Sequence, residues 1–184
     1  MGSSVMRKAV LCALALLQGS AALAATPDRF LTASYPVAEQ AAAERTAELL
    51  IAQGIAEQRA RFAPGAPALS GDAALTEIAR GRSDEMADGA PFSHQDANGH
   101  HLAIDRMRAQ FGRYGWMGEN IMKETGHRNF DPVAFAHRAV ADWMASPSHR
   151  ENILRPAFRR SGIGVTVRGG TVFATQVFFG PPAD

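Results

Sequence analysis

The stretch with the clearest chemical potential is residues 143–154, WMASPSHRENIL, which places a histidine where two helices meet. Apolar residues at helical spacing end before Pro147, so one helix is expected to stop there. Ser148 and Glu151 have the spacing of a capping box that opens a second, short helix. His149 then lies in its first turn, where the helix dipole disfavours imidazolium and leaves a lone pair for a metal or a proton. The alternative is that His149 only closes the junction.

No other spacing in the chain indicates a reaction by itself. The sequence has six histidines, but no HExxH, no cysteine pair, no GxSxG and no glycine-rich phosphate loop. The serines next to His94 and His149 are discounted as nucleophiles, because neighbours in sequence rarely align for attack. The net charge of +1, without a basic stripe, makes nucleic acid a poor candidate partner.

The amino terminus has the features of a secretory signal. A short basic region precedes an apolar run that ends in the small residues of a signal peptidase site, so cleavage is expected before Ala25. A retained membrane anchor is the alternative, disfavoured because the run is short. The only cysteine, Cys12, lies in this segment, so the mature chain contains no disulfide. The chain is therefore divided into a signal peptide (1–24), an N-terminal arm (25–36) and one domain (37–184).

Four helices are predicted before the short helix that carries His149. Alanine-rich residues 37–62 favour a long first helix, with Gly54 as a candidate kink or break. Asp72 is the expected N-cap of a second helix. The inward face of that helix consists of Leu75, Ile78, Ala79, Arg82 and Met86. Residues 101–111 favour a third helix, and Asp131 followed by a proline opens the fourth.

After the short helix, the spacing of apolar residues changes from helical to β-type. Residues 162–167 and 171–179 are two β-rich runs around a glycine turn, which predicts a hairpin. A hairpin alone is marginally stable, so a third strand is expected near residues 120–123. Gly162 and Gly164 leave one face of the hairpin bare, which lets another segment approach closely. Helices followed by a hairpin predict an α+β domain.

Several motifs occur in the order and at the spacing that are known from one family. They are FSH at residues 92–94, GENI at 118–121, the stretch at 143–154, GIG at 162–164 and TQVF at 175–178. Together they resemble the bacterial SCP-like branch of the CAP superfamily, named after cysteine-rich secretory proteins, antigen 5 and pathogenesis-related proteins. The resemblance covers nearly the whole mature chain. It implies an α-β-α sandwich with a small antiparallel sheet and a surface cleft lined by two histidines and acidic residues.

The resemblance also assigns residues to that cleft. His94 and Glu119 match the family's first histidine and the glutamate of GEN, and His149 supplies the second imidazole in the bacterial branch. Two departures from the eukaryotic members are visible. Ser146 holds the place of a second glutamate, and Phe173-Ala174 holds the place of a second histidine. The candidates for the open fourth acidic position are Asp96, Asp142 and Glu151.

Two neutral imidazoles and a carboxylate are suitable ligands for Zn²⁺, with water at the fourth position. The resemblance thus predicts a metal site at His94, His149 and Glu119, and the same residues are the candidates if the cleft is catalytic. A bound water could be activated for hydrolysis, or the metal could only stabilise the cleft. The alternatives are that His94 is an ordinary loop histidine and that Glu119 pairs with Arg106 or with backbone amides. Asn120 is interpreted as a structural hydrogen bonder.

Two functions fit these features. The first is an exported envelope or extracellular domain that binds a small ligand, a lipid, a glycan or a peptide in its cleft. The second is a metal-dependent hydrolase acting on peptide or cell-wall material, with Glu119 as ligand or general base. A pure scaffold is a poorer interpretation, because an inward-facing polar triad is costly to retain. The signal predicts a secreted or periplasmic location without a stable membrane span after cleavage, and both an enzymatic and a binding role are retained.

Overall fold

The computed structural model describes residues 37–112 and 114–182. The predicted signal peptide and N-terminal arm lie outside these ranges. In chain order the elements are α1 (Val37–Phe62), β1 (Ser70–Gly71), α2 (Ala73–Ala87), α3 (Leu102–Phe111), β2 (Trp116–Thr125), α4 (Pro132–Ala145), α5 (Pro147–Leu154), β3 (Arg160–Arg168) and β4 (Thr171–Gly180). None of the helices within the described ranges is both long and apolar enough to cross a bilayer.

The four strands form one sheet in the order β1-β3-β4-β2. β3 and β4 are the predicted hairpin, and Gly169 and Gly170 supply its turn with positive φ angles of 57° and 73°. β2 pairs with β4 in antiparallel orientation along its whole length, which confirms the predicted third strand. The sheet is mixed rather than purely antiparallel, because β1 adds a two-residue parallel pairing to β3.

Helices cover both faces of this sheet, which confirms the α-β-α sandwich. α1, α4 and α5 lie on one face, where large apolar side chains form the main core. Ile51 of α1, Phe135 and Trp143 of α4 and Phe178 of β4 are all buried there. Trp143 also donates its indole N–H to the carbonyl of Ile121 at 3.2 Å. Burial of this apolar surface is the dominant favourable term in folding.

On the other face, α2 approaches the sheet at backbone distance. A Cβ added at Gly162 would lie 2.2 Å from the carbonyl carbon of Leu75. A Cβ added at Gly164 would lie 2.2 Å from the amide nitrogen of Arg80. The predicted close approach at the bare glycine face is therefore confirmed, and α2 is the segment that makes it. Asp72 caps α2 as predicted, accepting from the amide of Leu75 at 3.0 Å.

The junction between α4 and α5 differs from the prediction. Pro147 is the first residue of α5, so Ser146, and not Ser148, is the N-cap. The predicted capping box is wrong, because a proline at the first helical position already fixes the helix start one residue earlier. Glu151 pairs instead with Arg155, one turn further along α5.

Two other local predictions concern α4 and α1. Asp131 caps α4 as predicted, accepting from the amides of Val133 and Ala134. α1 continues without a break through Gly54. The glycine instead permits close helix packing, since a Cβ there would lie only 3.0 Å from a methyl carbon of Val140. α1 and α4 thus form one tightly packed layer beneath the sheet.

Candidate functional site

Glu119 lies in β2, and its carboxylate points to the α2 side of the sheet, where both oxygens have partners. Oε1 accepts from Nε of Arg82 at 3.5 Å, and Oε2 lies 2.8 Å from Nδ1 of His94. The Glu119 side chain is only 3% exposed. A buried carboxylate requires such partners, because removing an ionised group from water is costly. Three segments that are far apart in the sequence meet at this one carboxylate.

The guanidinium of Arg82 connects Glu119 to the loop that carries His94. Its side chain is 1% exposed and donates to Oε2 of Glu85 at 2.8 Å. It also donates to the carbonyl of Ser93 at 2.8 Å, which fixes the residue immediately before His94. The sequence pattern predicts Arg82 on the inward face of α2 but indicates no role for it. The available signal was a charged residue within a buried helical stripe.

The alternative pairing of Glu119 with Arg106 is wrong, because Arg106 pairs with Glu85. Burial acts to raise the pKa of Glu85, but hydrogen bonds from Arg106 and Arg82 outweigh it and hold the pKa below its usual value. Glu85 is therefore ionised at neutral pH. Arg106, Glu85, Arg82 and Glu119 form a row of alternating charges that ends at His94.

The contact with Glu119 sets the tautomer of His94. An ionised carboxylate only accepts hydrogen bonds, so Nδ1 of His94 carries the proton. When the ring is neutral, its Nε2 keeps a lone pair, and the His94 side chain is 41% exposed. A carboxylate behind the ring is a common way to orient a histidine that binds a metal or accepts a proton. His94 thus offers an oriented acceptor to solvent.

His149 lies in the first turn of α5, as predicted. Burial lowers its pKa, and His94, when it is protonated, lowers that pKa further. The carbonyl of His149 accepts from the side chain of Asn120 at 3.1 Å. Successive residues of a strand point to opposite faces, so His149 and the carboxylate of Glu119 approach β2 from opposite sides. β2 is an edge strand, and its free edge is where the two sides meet.

Asn120 joins β2 to α5. Besides its bond to His149, its side-chain oxygen accepts from Asn152 at 2.9 Å, and Asn152 also donates to the carbonyl of Glu119 at 3.3 Å. The interpretation of Asn120 as a structural hydrogen bonder is therefore confirmed. Asn152, which belongs to the same stretch 143–154 as His149, is a further member of this junction that no sequence pattern indicated.

A cleft of about 520 Å³ opens beside His94 and Glu119. Its lining consists of His94, His101, Ile104, Arg108, Gly115, Trp116, Met117, Gly118 and Glu119. Trp116 is 42% exposed, and the guanidinium of Arg155 lies 5.1 Å from its ring centroid. The wall therefore combines two imidazoles, those of His94 and His101, with the ring of Trp116 and the guanidinium of Arg108, and His149 does not line it.

None of the three candidates for a further acidic member lines this cleft. Asp96 accepts hydrogen bonds within its own turn, from the amide of His100 foremost, and these hold its pKa below the usual value. Glu151 forms its ion pair within α5, and Asp142 is exposed on α4. The acidic residue connected to the site is Glu85, because it pairs with Arg82, which in turn pairs with Glu119.

The predicted Zn²⁺ site can be tested against this geometry. Within residues 37–112 and 114–182, no three histidine, cysteine, aspartate or glutamate side chains are grouped to hold a metal ion. Each oxygen of Glu119 already accepts a hydrogen bond, and the side chain is only 3% exposed, so a metal would have to reach a buried carboxylate. As arranged, the residues do not fit the three-ligand site. A joint binding role of His94, Glu119 and His149 stays a prediction.

The sequence matches one protein family and one curated relative over most of its length. The family model described as the cysteine-rich secretory protein family, CAP, matches residues 58–178. The uncharacterized protein YkwD of Bacillus subtilis is 33% identical over 149 residues, which are 81% of this chain and 51% of that protein. The chain thus spans about half the length of this curated relative.

Two solved structures share the fold. An outer surface protein of Borrelia burgdorferi superposes with a TM-score of 0.61 at 16% identity, covering 75% of this chain and 94% of that one. An extracellular protein containing an SCP domain, from Bacillus anthracis, superposes with a TM-score of 0.59 at 26% identity. That match covers 83% of this chain and 45% of the Bacillus anthracis chain.

Proposed function

The chain belongs to the cysteine-rich secretory protein (CAP) family, and we propose that it is an exported domain that binds a ligand at the cell envelope or outside the cell. The observation that carries this proposal is the contact of 2.8 Å between His94 and Glu119 at the wall of a cleft of about 520 Å³. It presents a fixed acceptor, Nε2 of His94, to any molecule in the cleft.

The electrostatics of the site favour recognition. Glu119 is enclosed by Arg82 and His94, so its charge is compensated before any ligand arrives. The wall then offers His94 as an acceptor, Arg108 as a donor and the ring of Trp116 as an apolar surface. A cleft with a few oriented polar groups and an aromatic wall suits a ligand with hydroxyl or amide groups, such as a glycan or a peptide.

A metal-dependent hydrolase is the second candidate, and the lowered pKa of His149 is the observation that favours it. A neutral imidazole near His94 can ligate a metal or accept a proton. The present arrangement supports this function less well, because Glu119 is 3% exposed and both of its oxygens already accept hydrogen bonds.

Export is supported by the sequence and by one relative. Residues 1–24 have the pattern of a secretory signal. The Bacillus anthracis protein, which matches over 83% of this chain, is described as extracellular. A fusion of residues 1–36 to a reporter enzyme that is active only after export would test the signal.

The binding proposal is tested by amide NMR on the mature chain with three probes: a chitooligosaccharide, a mixed tryptic peptide pool and phosphatidylglycerol vesicles. Saturable shifts at His94, Trp116 and Glu119 with any probe support a binding cleft. The His94→Ala, His149→Ala double variant should abolish them, and His137→Ala, which removes an exposed histidine of α4, should not. Absence of shifts in the cleft with all probes counts against the proposal.

The hydrolase is tested separately. The protein is incubated with peptidoglycan and with a peptide library, with and without Zn²⁺, and the products are analysed by mass spectrometry. Cleavage that depends on Zn²⁺ and is lost in Glu119→Gln would favour the hydrolase over a binding domain. Intact substrates under both conditions would remove it.

A further inference from the structure

A second concavity lies away from the His94 cleft, at the β1 edge of the sheet. It is a groove of about 360 Å³ between α1 and the start of α2. Its apolar walls are supplied by Leu49, Ala52, Ile55, Ala56 and Leu69. The ion pair between Glu48 and Arg80, with an N···O distance of 2.6 Å, closes one side, and its two charges compensate each other.

The floor of this groove contains a polar group whose hydrogen bonding is incomplete. Gln176 of β4 borders the groove and is 1% exposed. Its Nε2 donates to the hydroxyl of Ser161 at 3.0 Å. Its Oε1 is buried and has no hydrogen-bond partner among the described residues. A buried amide oxygen without a donor is destabilising, and such groups are usually satisfied by water or by a ligand.

The backbone of β3 supplies a second incomplete group at the same place. The carbonyl of Ser161 accepts from Asp72 at the β1 edge. Further along this edge, the amide of Val165 donates to Glu48 of α1 at 3.2 Å. Ile163 lies between them, and alternation directs its peptide groups to the same edge. β1 ends at Gly71, so no strand within the described ranges pairs with Ile163 there.

We propose that this groove is a binding site for a small neutral alcohol. The hydroxyl accepts from the amide of Ile163 and donates to Oε1 of Gln176, whose Nε2 keeps its bond to Ser161. The aliphatic part lies against Leu49, Ile55 and Leu69. A hydroxyl matches both groups because it is donor and acceptor at once. The volume is at the lower end for ligand pockets, which favours a short chain over a long lipid.

The test is amide NMR on the mature chain with n-hexanol and with methyl pentyl ether, which has the same number of heavy atoms and no donor. Hexanol should cause saturable shifts of the Ile163 amide and of the Gln176 side-chain amide. The ether should bind roughly three- to tenfold more weakly, because it cannot donate to Oε1. Equal affinity of alcohol and ether, or no shift at these two residues, would overturn the proposal, the latter pointing to water alone.

Two variants separate the site from general effects on folding. Ala52→Phe places a ring in the groove from an exposed position of α1 and should abolish the hexanol shifts. Ala60→Phe makes the same change at an exposed position of α1 outside the groove and should leave them intact. Gln176→Met keeps a similar volume without the amide and should remove the preference for alcohol over ether. Hexanol binding to Ala52→Phe with wild-type affinity would contradict the assignment.

Discussion

The two faces of the central sheet are held by different means. On the α1 and α4 face, large side chains such as Trp143 and Phe178 fill the space between helix and strand. On the α2 face, Gly162 and Gly164 leave no side chain between the backbones, and the helix lies directly on β3. Both faces bury apolar side chains, and on the second face the glycines also fix the distance between helix and strand.

That fixed distance positions the candidate site. Because α2 rests on β3, Ser83 bonds to the carbonyl of Gly164 at 2.9 Å and to the hydroxyl of Thr175 at 3.0 Å. Arg82, the preceding residue, then reaches Glu119 on the edge strand β2. The α2 face therefore sets the geometry of the site, and variants on each face can separate this role from the apolar burial that both faces contribute.

The largest expected effect is on the apolar face. Trp143→Ala removes a buried indole and should lower the free energy of unfolding by about 4 kcal/mol. Chemical denaturation followed by circular dichroism measures it. Trp143→Phe, which keeps a ring and loses the bond to Ile121, should cost clearly less. In native protein, both variants should retain the His94–Glu119 contact. Loss of that contact in folded Trp143→Phe would contradict the division between the faces.

Gly164→Ala tests the α2 face. The new Cβ would meet the backbone of Arg80 at 2.2 Å, and α2 must move away as a unit. We expect a loss of about 3 kcal/mol in the free energy of unfolding, together with changed NMR signals of His94. Gly71→Ala is the matched control, because a Cβ there meets nothing within 4 Å. Equal stability of the two variants would show that the close approach is not constrained.

Arg82→Met tests the polar row itself. Glu119 loses the guanidinium of Arg82 but keeps His94 as a partner. The free energy of unfolding should therefore fall by about 2 kcal/mol, less than for a buried charge that has no partner. The more specific readout is the nitrogen NMR signature of the His94 ring, which should change from one tautomer to a mixture. Arg138→Met, which removes an exposed ion pair with Glu124, should change neither. An unchanged His94 ring in Arg82→Met would refute a positioning role.

The sequence predicted the helices and the hairpin better than the candidate site, because periodicity and capping are local signals. The bounds of α1, the caps at Asp72 and Asp131, and the hairpin depend on local patterns that one stretch of chain contains. The start of α5 was misjudged because two local signals competed, and the proline at position 147 outweighed the S-x-x-E spacing.

The site required information that no local pattern holds. The resemblance to a family supplied His94 and Glu119, but nothing near either residue indicated that Arg82 would stand behind them. A buried arginine on a helix face can pair with any carboxylate that the fold brings close, and only the α2–β3 contact selects Glu119. The same limit explains the missed β1 pairing, since two residues carry no periodicity.

The smallest expected effect concerns pH and links the two faces at the edge of β2. Burial, and then the positive charge that His94 carries when it is protonated, lower the pKa of His149 in the folded chain below its usual value of 6.5. The unfolded chain therefore binds a proton at His149 more readily, so this contribution to stability is fully present above pH 6.5 and is lost as the pH falls through the lowered pKa. His149→Gln should flatten the decline in unfolding free energy just below pH 6.5, whereas His137→Gln should leave it as in the wild type. Identical pH profiles for wild type and His149→Gln would mean that His149 does not sense burial or His94, and the proposed approach of the two faces around β2 would lose its support.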